Sequence, residues 1–384
     1  MSTAVPSRAD VVVIGGGVVG LATAYELAKS GAGEVVLLDS GSFGAGSTCK
    51  AAGGVRAMFS DELNILLGKR SLEVFERFEE LYGQDIDLHQ VGYLFLLDNE
   101  DDLRDFEAAV ALQNSLGVDS RMIDVAEAER LSPYICTDGL LGAAFSPRDG
   151  HCTPESVVLG YAGAARRAGA TLVPHCAVTG AEVQDGRIRA VETAAGRIET
   201  GAVVCAAGVW SRPVGEWFGV DLPVEPLRRQ LVISEAVPDL PPDTPFTIDF
   251  ATSFYFHNEG PGLLIGMSDP HETPGFKMSR GEDWLPGLAD AIERRAPSLA
   301  DVGISSGWAG LYEMTPDHNG LVGEACDVDR FFYCTGFSGH GFLLGPALGE
   351  VMADLYHRRT PFVDIGGFDV GRFAHENRPE RNCV

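Results

Sequence analysis

Residues 11–39 read VVVIGGGVVGLATAYELAKSGAGEVVLLD, and the order of features within them decides the fold. Val11, Val12, Val13 and Ile14 form an unbroken β-branched run, the composition of a parallel strand buried on both faces. Gly15, Gly17 and Gly20 follow as G-x-G-x-x-G, then comes a helix through LATAYELAKS, which Gly31 and Gly33 can end in the left-handed conformation. EVVLLD supplies a second strand ending in Asp39. This is a dinucleotide-binding unit: the glycines let the backbone approach a pyrophosphate, and the helix start aims N–H groups and partial positive charge at it. Asp39 stands about 20 residues beyond the glycines, where an acidic side chain accepts hydrogen bonds from a ribose hydroxyl.

Two distant stretches decide between a visiting and a resident nucleotide. Residues 200–211, TGAVVCAAGVWS, read as a strand ending in Ala207-Gly208, and residues 330–342, RFFYCTGFSGHGF, as a strand running into a glycine-rich turn before a helix. Both are expected to rejoin the first sheet. A nicotinamide domain is usually contiguous, so a sheet rebuilt from three separated pieces favours a buried, permanent flavin. A helix starting after Gly341 would direct its positive end at the pyrimidine edge of that flavin and make reduction easier.

Composition narrows the partners. The chain has 384 residues, 45% hydrophobic and 22% charged, enough for a well-buried core divided between two domains. A formal net charge of -26 opposes nucleic acid and anionic membrane and favours a small ligand. The eight cysteines (Cys49, Cys136, Cys152, Cys176, Cys205, Cys326, Cys334 and Cys383) include no C-x-x-C pair, so no metal is expected and they read as small buried hydrophobes in a reducing compartment. Neither a signal peptide nor an apolar span of about 18–20 residues is seen, which points to the cytoplasm.

Other elements follow from local signals. Ser60 is the expected cap of a helix with Asp61 and Glu62 in its first turn, closed by Gly83. GYLFLLD reads as a strand, residues 101–117 as a helix, and Pro154 opens another helix. Short alternating strands fill 172–205, extended structure returns over 226–266, and a helical pattern over 282–296. The polar run from Arg372 is expected to fray.

The motifs GAGSTCKAAGGVR, VGYLFLL, WAGLYEMTPDHNGLVG and GFSGHGFLLGPALGE carry a resemblance. The sequence resembles the flavoenzyme superfamily of D-amino-acid oxidase, glycine oxidase and sarcosine oxidase. Within it, the chain looks most like the β subunits of dye-linked L-proline dehydrogenase and heterotetrameric sarcosine oxidase. The likeness runs from Val11 to about Phe373. It implies α/β plus α+β architecture: an FAD-binding doubly wound, Rossmann-like domain (1–84, 150–220 and 318–372) interleaved with an antiparallel-sheet substrate domain (85–149 and 221–317), then a flexible tail (373–384).

The resemblance also implies site residues. Gly15, Gly17, Val18, Val19, Gly20, Asp39 and Ser40 would hold the ADP half of FAD, with the backbone of Val178 at the adenine. Ser47, Thr48, Lys50, Ala51, Ala52 and Gly53 would lie beside the pyrophosphate and flavin. Ala207, Gly208 and Trp210 would form the second nucleotide turn, and Gly310, Gly336, Gly339, His340, Gly341 and Phe342 would border the flavin ring. Arg56 matches the carboxylate-binding arginine, whose planar fork suits two parallel bonds. Tyr312 matches a tyrosine facing the substrate, and His340 either handles a proton or supports its turn. Tyr255 and His257, two apart on an expected roof strand, share one face and are candidate substrate contacts. The implied reaction takes two electrons from the C–N bond of a small amine or amino acid (sarcosine-, proline- or glycine-like), by hydride transfer to flavin N5, and the imine then hydrolyses. O2 or another acceptor would reoxidise the flavin.

Departures from the pattern are equally specific. Monomeric sarcosine oxidases bond flavin to a cysteine where this chain has Gly310, so non-covalent FAD is expected. Their oxygen-activating lysine is replaced by Leu264, which argues for a dehydrogenase or for another cation, such as Lys50. A second carboxylate-binding lysine is replaced by Leu343, so either the acid end is held less firmly or the substrate has no ordinary carboxylate. Cys49 beside Lys50 reads as a small packed residue rather than an activated thiol. A flavin hydroxylase would carry a Gly-Asp turn where this chain has CTGFSGHG. An alternative outside single-chain enzymes is a flavin-carrying β-type subunit, inactive without its partner; a homo-oligomer is equally open.

Overall fold

A computed structural model describes residues 5–374 and 379–381. The strand Val11–Ile14 lies inside a six-stranded sheet, in the order Leu321–Glu324, Phe331–Thr335, Val203–Cys205, Val11–Ile14, Val35–Leu38, Thr171–Val173. All neighbours are parallel except the outermost pair, Leu321–Glu324 with Phe331–Thr335. Val12 stands opposite Val203, and Val203 opposite Phe331, so the three separated pieces share one register. Every residue of Val11–Ile14, Val35–Leu38, Val203–Cys205 and Phe331–Thr335 is buried, which is why these strands read as continuous apolar runs.

The two faces of this sheet are covered differently. Val11 and Val13 pack with the helices Val18–Lys29, Pro154–Arg167 and Gly341–Tyr356. Val12 and Ile14 pack instead towards Ile188, Val191 and Ile198 of a small antiparallel sheet, Val178–Gln184, Arg187–Thr193 and Gly196–Glu199. The doubly wound half is therefore helical on one face and β on much of the other.

A second sheet of eight strands runs Ile304–Met314, Glu225–Ser234, Gly262–Met267, Phe254–Glu259, Phe246–Asp249, Tyr93–Leu97, Gly142–Ser146, Arg121–Ile123. It is antiparallel except where Phe246–Asp249 lies parallel to Tyr93–Leu97. Two regions far apart in sequence are joined at that seam.

Two local expectations are corrected. Asp61, not Ser60, caps the helix Glu62–Glu76, accepting from the Asn64 amide at 3.0 Å; the Ser60 Oγ is turned to the C-terminal run, donating to Glu380 at 2.7 Å and accepting from the Arg381 amide at 3.0 Å. Gly83 closes only the short helix Phe78–Tyr82 that follows a break at Arg77. Where the polar C-terminal run is described, Arg372 forks onto Asp317 at 2.7 and 2.8 Å, and Glu380 is buried against Ser60. Residues 375–378 and 382–384 of the expected tail lie outside the described residues.

Candidate active site

The glycine turn, the loop after Asp39 and the roof sheet enclose a cavity of about 630 Å³. At its nucleotide end Asp39 accepts from the Gly16 amide at 2.6 Å and from the Gly41 amide at 2.7 Å, each carboxylate oxygen keeping a further lone pair for a ligand hydroxyl. Gly15 has φ +110°, and a Cβ there would collide with the Ala206 carbonyl, so the first and second nucleotide turns touch. The helix beginning at Val18 presents its N-terminus to the cavity, with the Val18 amide held by Thr48 Oγ1 at 3.1 Å. The helix beginning at Gly341 contributes a second N-terminus to the same wall. Two positive helix ends, an acid at ribose distance and a side-chain-free turn fit a dinucleotide.

Most expected cofactor residues line this one cavity: Gly15, Gly17, Val18, Val19, Asp39 and Ser40 at one end; Ser47, Thr48, Lys50, Ala51, Ala52 and Gly53 along the connecting loop; Val178, Ala207, Gly208 and Trp210 opposite; and Gly310, Gly339, His340, Gly341 and Phe342 beneath the roof. The loop is stitched to the roof strand Ile304–Met314: Ser47 Oγ donates to the Leu311 carbonyl at 2.6 Å, and Trp308 Nε1 donates to the Lys50 carbonyl at 3.0 Å. A Cβ at Gly310 would press on Lys50 Cβ at 3.0 Å, so that position has little room for a side chain.

Three expected positions do not face the cavity. Gly20 lies in the helix body, where a Cβ would strike the Gly15 carbonyl; it packs helix on turn rather than lining the cavity. Gly336 gives its amide to Glu313 Oε2 at 2.9 Å and shapes the turn from behind. His257 shares a sheet face with Tyr255, but its Nε2 lies 2.9 Å from the Ala52 carbonyl and its Nδ1 2.8 Å from the Asn258 carbonyl, and its ring stacks on His151 at 4.2 Å. Burial lowers its pKa to about 4, and it packs as a neutral ring outside the cavity lining.

Tyr255, Tyr312, Arg56 and His340 do line the cavity. Arg56, 4% exposed, donates to the Met58 carbonyl and lies over the Phe59 ring at 4.4 Å; its Nη2 is 3.2 Å from His340 Nε2. Burial, reinforced by Arg56, holds the His340 pKa well below its ordinary value. Tyr312 packs on Gly339, whose φ is +101° and where a Cβ would run into the tyrosine ring. Cys49 is no activated thiol: burial pushes it up to about 11.

Sequence reasoning missed two charged residues here. Glu313 is tied to the Gly336 amide and to Thr335 Oγ1 at 3.0 Å, and burial raises its pKa. Arg229, on the strand Glu225–Ser234, lines the cavity with its guanidinium 5.2 Å from the Tyr312 ring centre. Strand alternation carried a signal for Arg229, since Leu227, Arg229 and Leu231 share one face. Nothing local marked Glu313.

Comparison with known proteins agrees with this geometry. Residues 10–355 match the DAO family, described as FAD dependent oxidoreductase. The chain is 32% identical over 391 residues to mouse mitochondrial sarcosine dehydrogenase, covering 97% of this chain but 42% of that protein. It is 28% identical over 375 residues to glycine oxidase from Geobacillus kaustophilus (strain HTA426), covering 95% of this chain and 97% of that one. Among solved structures, L-proline dehydrogenase from P. horikoshii superposes with a TM-score of 0.90 at 32% identity, covering 96% of this chain and 99% of that one. The chain spans less than half the length of mouse sarcosine dehydrogenase.

Proposed function

The chain belongs to the DAO family of FAD-dependent oxidoreductases, and from that premise we propose that it oxidises the C–N bond of a small amine or amino acid, of the sarcosine, proline or glycine type, to an imine. When bound, FAD would supply the chemistry of taking hydride from the carbon beside nitrogen. The observation that carries the reading is the single cavity shared by the nucleotide turns and the aromatic roof.

The protein's own residues then have separable tasks. Asp39 and the helix start at Val18 hold the nucleotide end. The second helix start, at Gly341, would favour negative charge on a flavin bound in this cavity. Tyr93, Phe246, Tyr255 and Tyr312 wall off the reacting carbon from water and fix its approach, and alignment at near-contact distance accounts for much of such catalysis. His340, kept neutral beside Arg56, orients rather than charges the floor of the site. We further propose that FAD is held non-covalently, supported by the crowding at Gly310, and that the protein works in a reducing compartment, supported by free cysteines throughout the described residues.

Anaerobic mixing with a panel containing sarcosine, proline and glycine tests the reaction. Bleaching of the yellow chromophore by at least one amine is expected; a flavin that no amine reduces would defeat the reading. Acid precipitation should leave the colour in the supernatant, and a yellow pellet would refute non-covalent binding.

A further inference from the structure

Two consecutive arginines on the strand Glu225–Ser234 have opposite circumstances. Arg228 is paired, its Nε 2.5 Å from Glu272 Oε2 and its Nη1 donating to the Ser279 carbonyl at 3.0 Å. Arg229 faces the cavity. Its Nη1 reaches only the Arg228 carbonyl at 3.3 Å, and its Nε is buried with no hydrogen-bond partner among the described residues. Such a hydrogen bond is costly to leave unmade, and the planar guanidinium fork matches the two oxygens of a carboxylate.

The surroundings sharpen this. The protein carries a net charge of -26, yet no ion pair to Arg229 is found among the described residues. The two acids lining the cavity are already engaged by backbone amides: Asp39 by Gly16 and Gly41, and Glu313 by Gly336. Arg56 is held by the Met58 carbonyl and His340. Leu343 puts an apolar side chain into the same wall. Arg229 is braced over the Tyr312 ring, which itself packs closely on Gly339, so its position is set before any ligand arrives.

We propose that Arg229 is the specificity-determining residue that receives the substrate's carboxylate, supplying a cation to the cavity from the eight-stranded sheet. This rests on the amine-oxidising reading and adds that the amine carries an acid group. Arg229 then selects amino acids over simple amines by binding, without entering the chemistry.

The test titrates the FAD-loaded protein with acetate, a carboxylate that cannot react, and follows the perturbation of the flavin absorption. Arg229→Gln should require roughly 10- to 100-fold more acetate with FAD content unchanged. Its KM for sarcosine should rise far more than that for dimethylamine, which keeps the secondary amine and lacks the carboxylate. Arg229→Lys, which keeps the charge and loses the fork, should fall between, and carries the same comparison should the glutamine variant not fold. Acetate binding equal to wild type in the variants, no acetate binding by the wild type, or FAD loss in parallel with acetate affinity would each overturn the assignment. Failure of every amine to bleach the flavin defeats the functional reading instead, and is read independently of the acetate titration.

Discussion

Arg56 and His340, 284 residues apart in the chain, meet at 3.2 Å between Nη2 and Nε2. A guanidinium can only donate, so Nε2 is the acceptor and the ring proton sits on Nδ1. The imidazole is neutral, and both burial and the neighbouring charge keep it so. His340→Asn keeps an acceptor within reach of Arg56. It should slow anaerobic flavin reduction by less than about 100-fold, the lower end of what losing a general acid or base costs, and leave the pKa values of the rate profile in place. Disappearance of an ionisation between pH 5 and 8 would make His340 a proton carrier after all.

Asp39 is the anchor at the other end. Its two short bonds from Gly16 and Gly41 fix the carboxylate before ligand arrives. Asp39→Asn turns one acceptor into a donor facing an N–H, and FAD affinity should drop by roughly 10- to 100-fold. Ultrafiltration of the purified variant, with flavin absorbance read in filtrate and retentate, measures it; retention equal to wild type would place the ribose elsewhere.

At Gly339 left-handed backbone and close contact coincide. Gly339→Ala combines the strain of φ +101° with collision against Tyr312, for a combined cost of about 2–5 kcal/mol. Thermal unfolding should show the loss, and the altered Tyr312 wall should weaken acetate binding. An alanine variant that melts with wild type would mean the turn relaxes at no cost.

Asp149 makes a pH prediction. Fully buried, it accepts from the Ala57 amide at 3.1 Å, and burial pushes its carboxyl up to about 7. With an unfolded value of about 3.9, the folded state binds the proton more tightly. The stability this group contributes is complete below about pH 4 and lost as pH rises towards 7. Asp149→Asn should therefore melt above wild type at pH 8, by roughly 1–4 kcal/mol, with the advantage fading towards pH 4. Buried His151 and His257, with pKa values lowered to about 2 and about 4, act in the opposite sense below about pH 6.5. They are common to both proteins and cancel in the difference. A constant offset between the two curves would contradict the assignment.

The nucleotide half was legible because its signals are local: a β-branched run, three glycines at fixed spacing and an acid at the strand end all lie within residues 11–39. The two returning strands showed the same composition, and both joined the first sheet in register. Side-chain depth was not legible. Alternation put Tyr255 and His257 on one face correctly, but it could not show that the Ala52 carbonyl would cover His257 and leave Tyr255 open. Arg229 carried only the phase of its strand, on one face with Leu227 and Leu231, and that phase could not show that the face would open onto the cavity. Ser60 and Asp61 are equally good caps by composition; the contacts that turn Ser60 to Glu380 and Arg381 come from more than 300 positions later.

The order in which this polypeptide leaves the ribosome has a consequence. The strand Phe331–Thr335 and the helix Gly341–Tyr356 complete a sheet that starts at Val11, so an emerging chain holds half a nucleotide site through most of its synthesis. Loading of the cofactor must wait until those late residues are out. A product interrupted before residue 331 would expose the apolar edge of Val203–Cys205 and be colourless, a target for quality control rather than a weak enzyme.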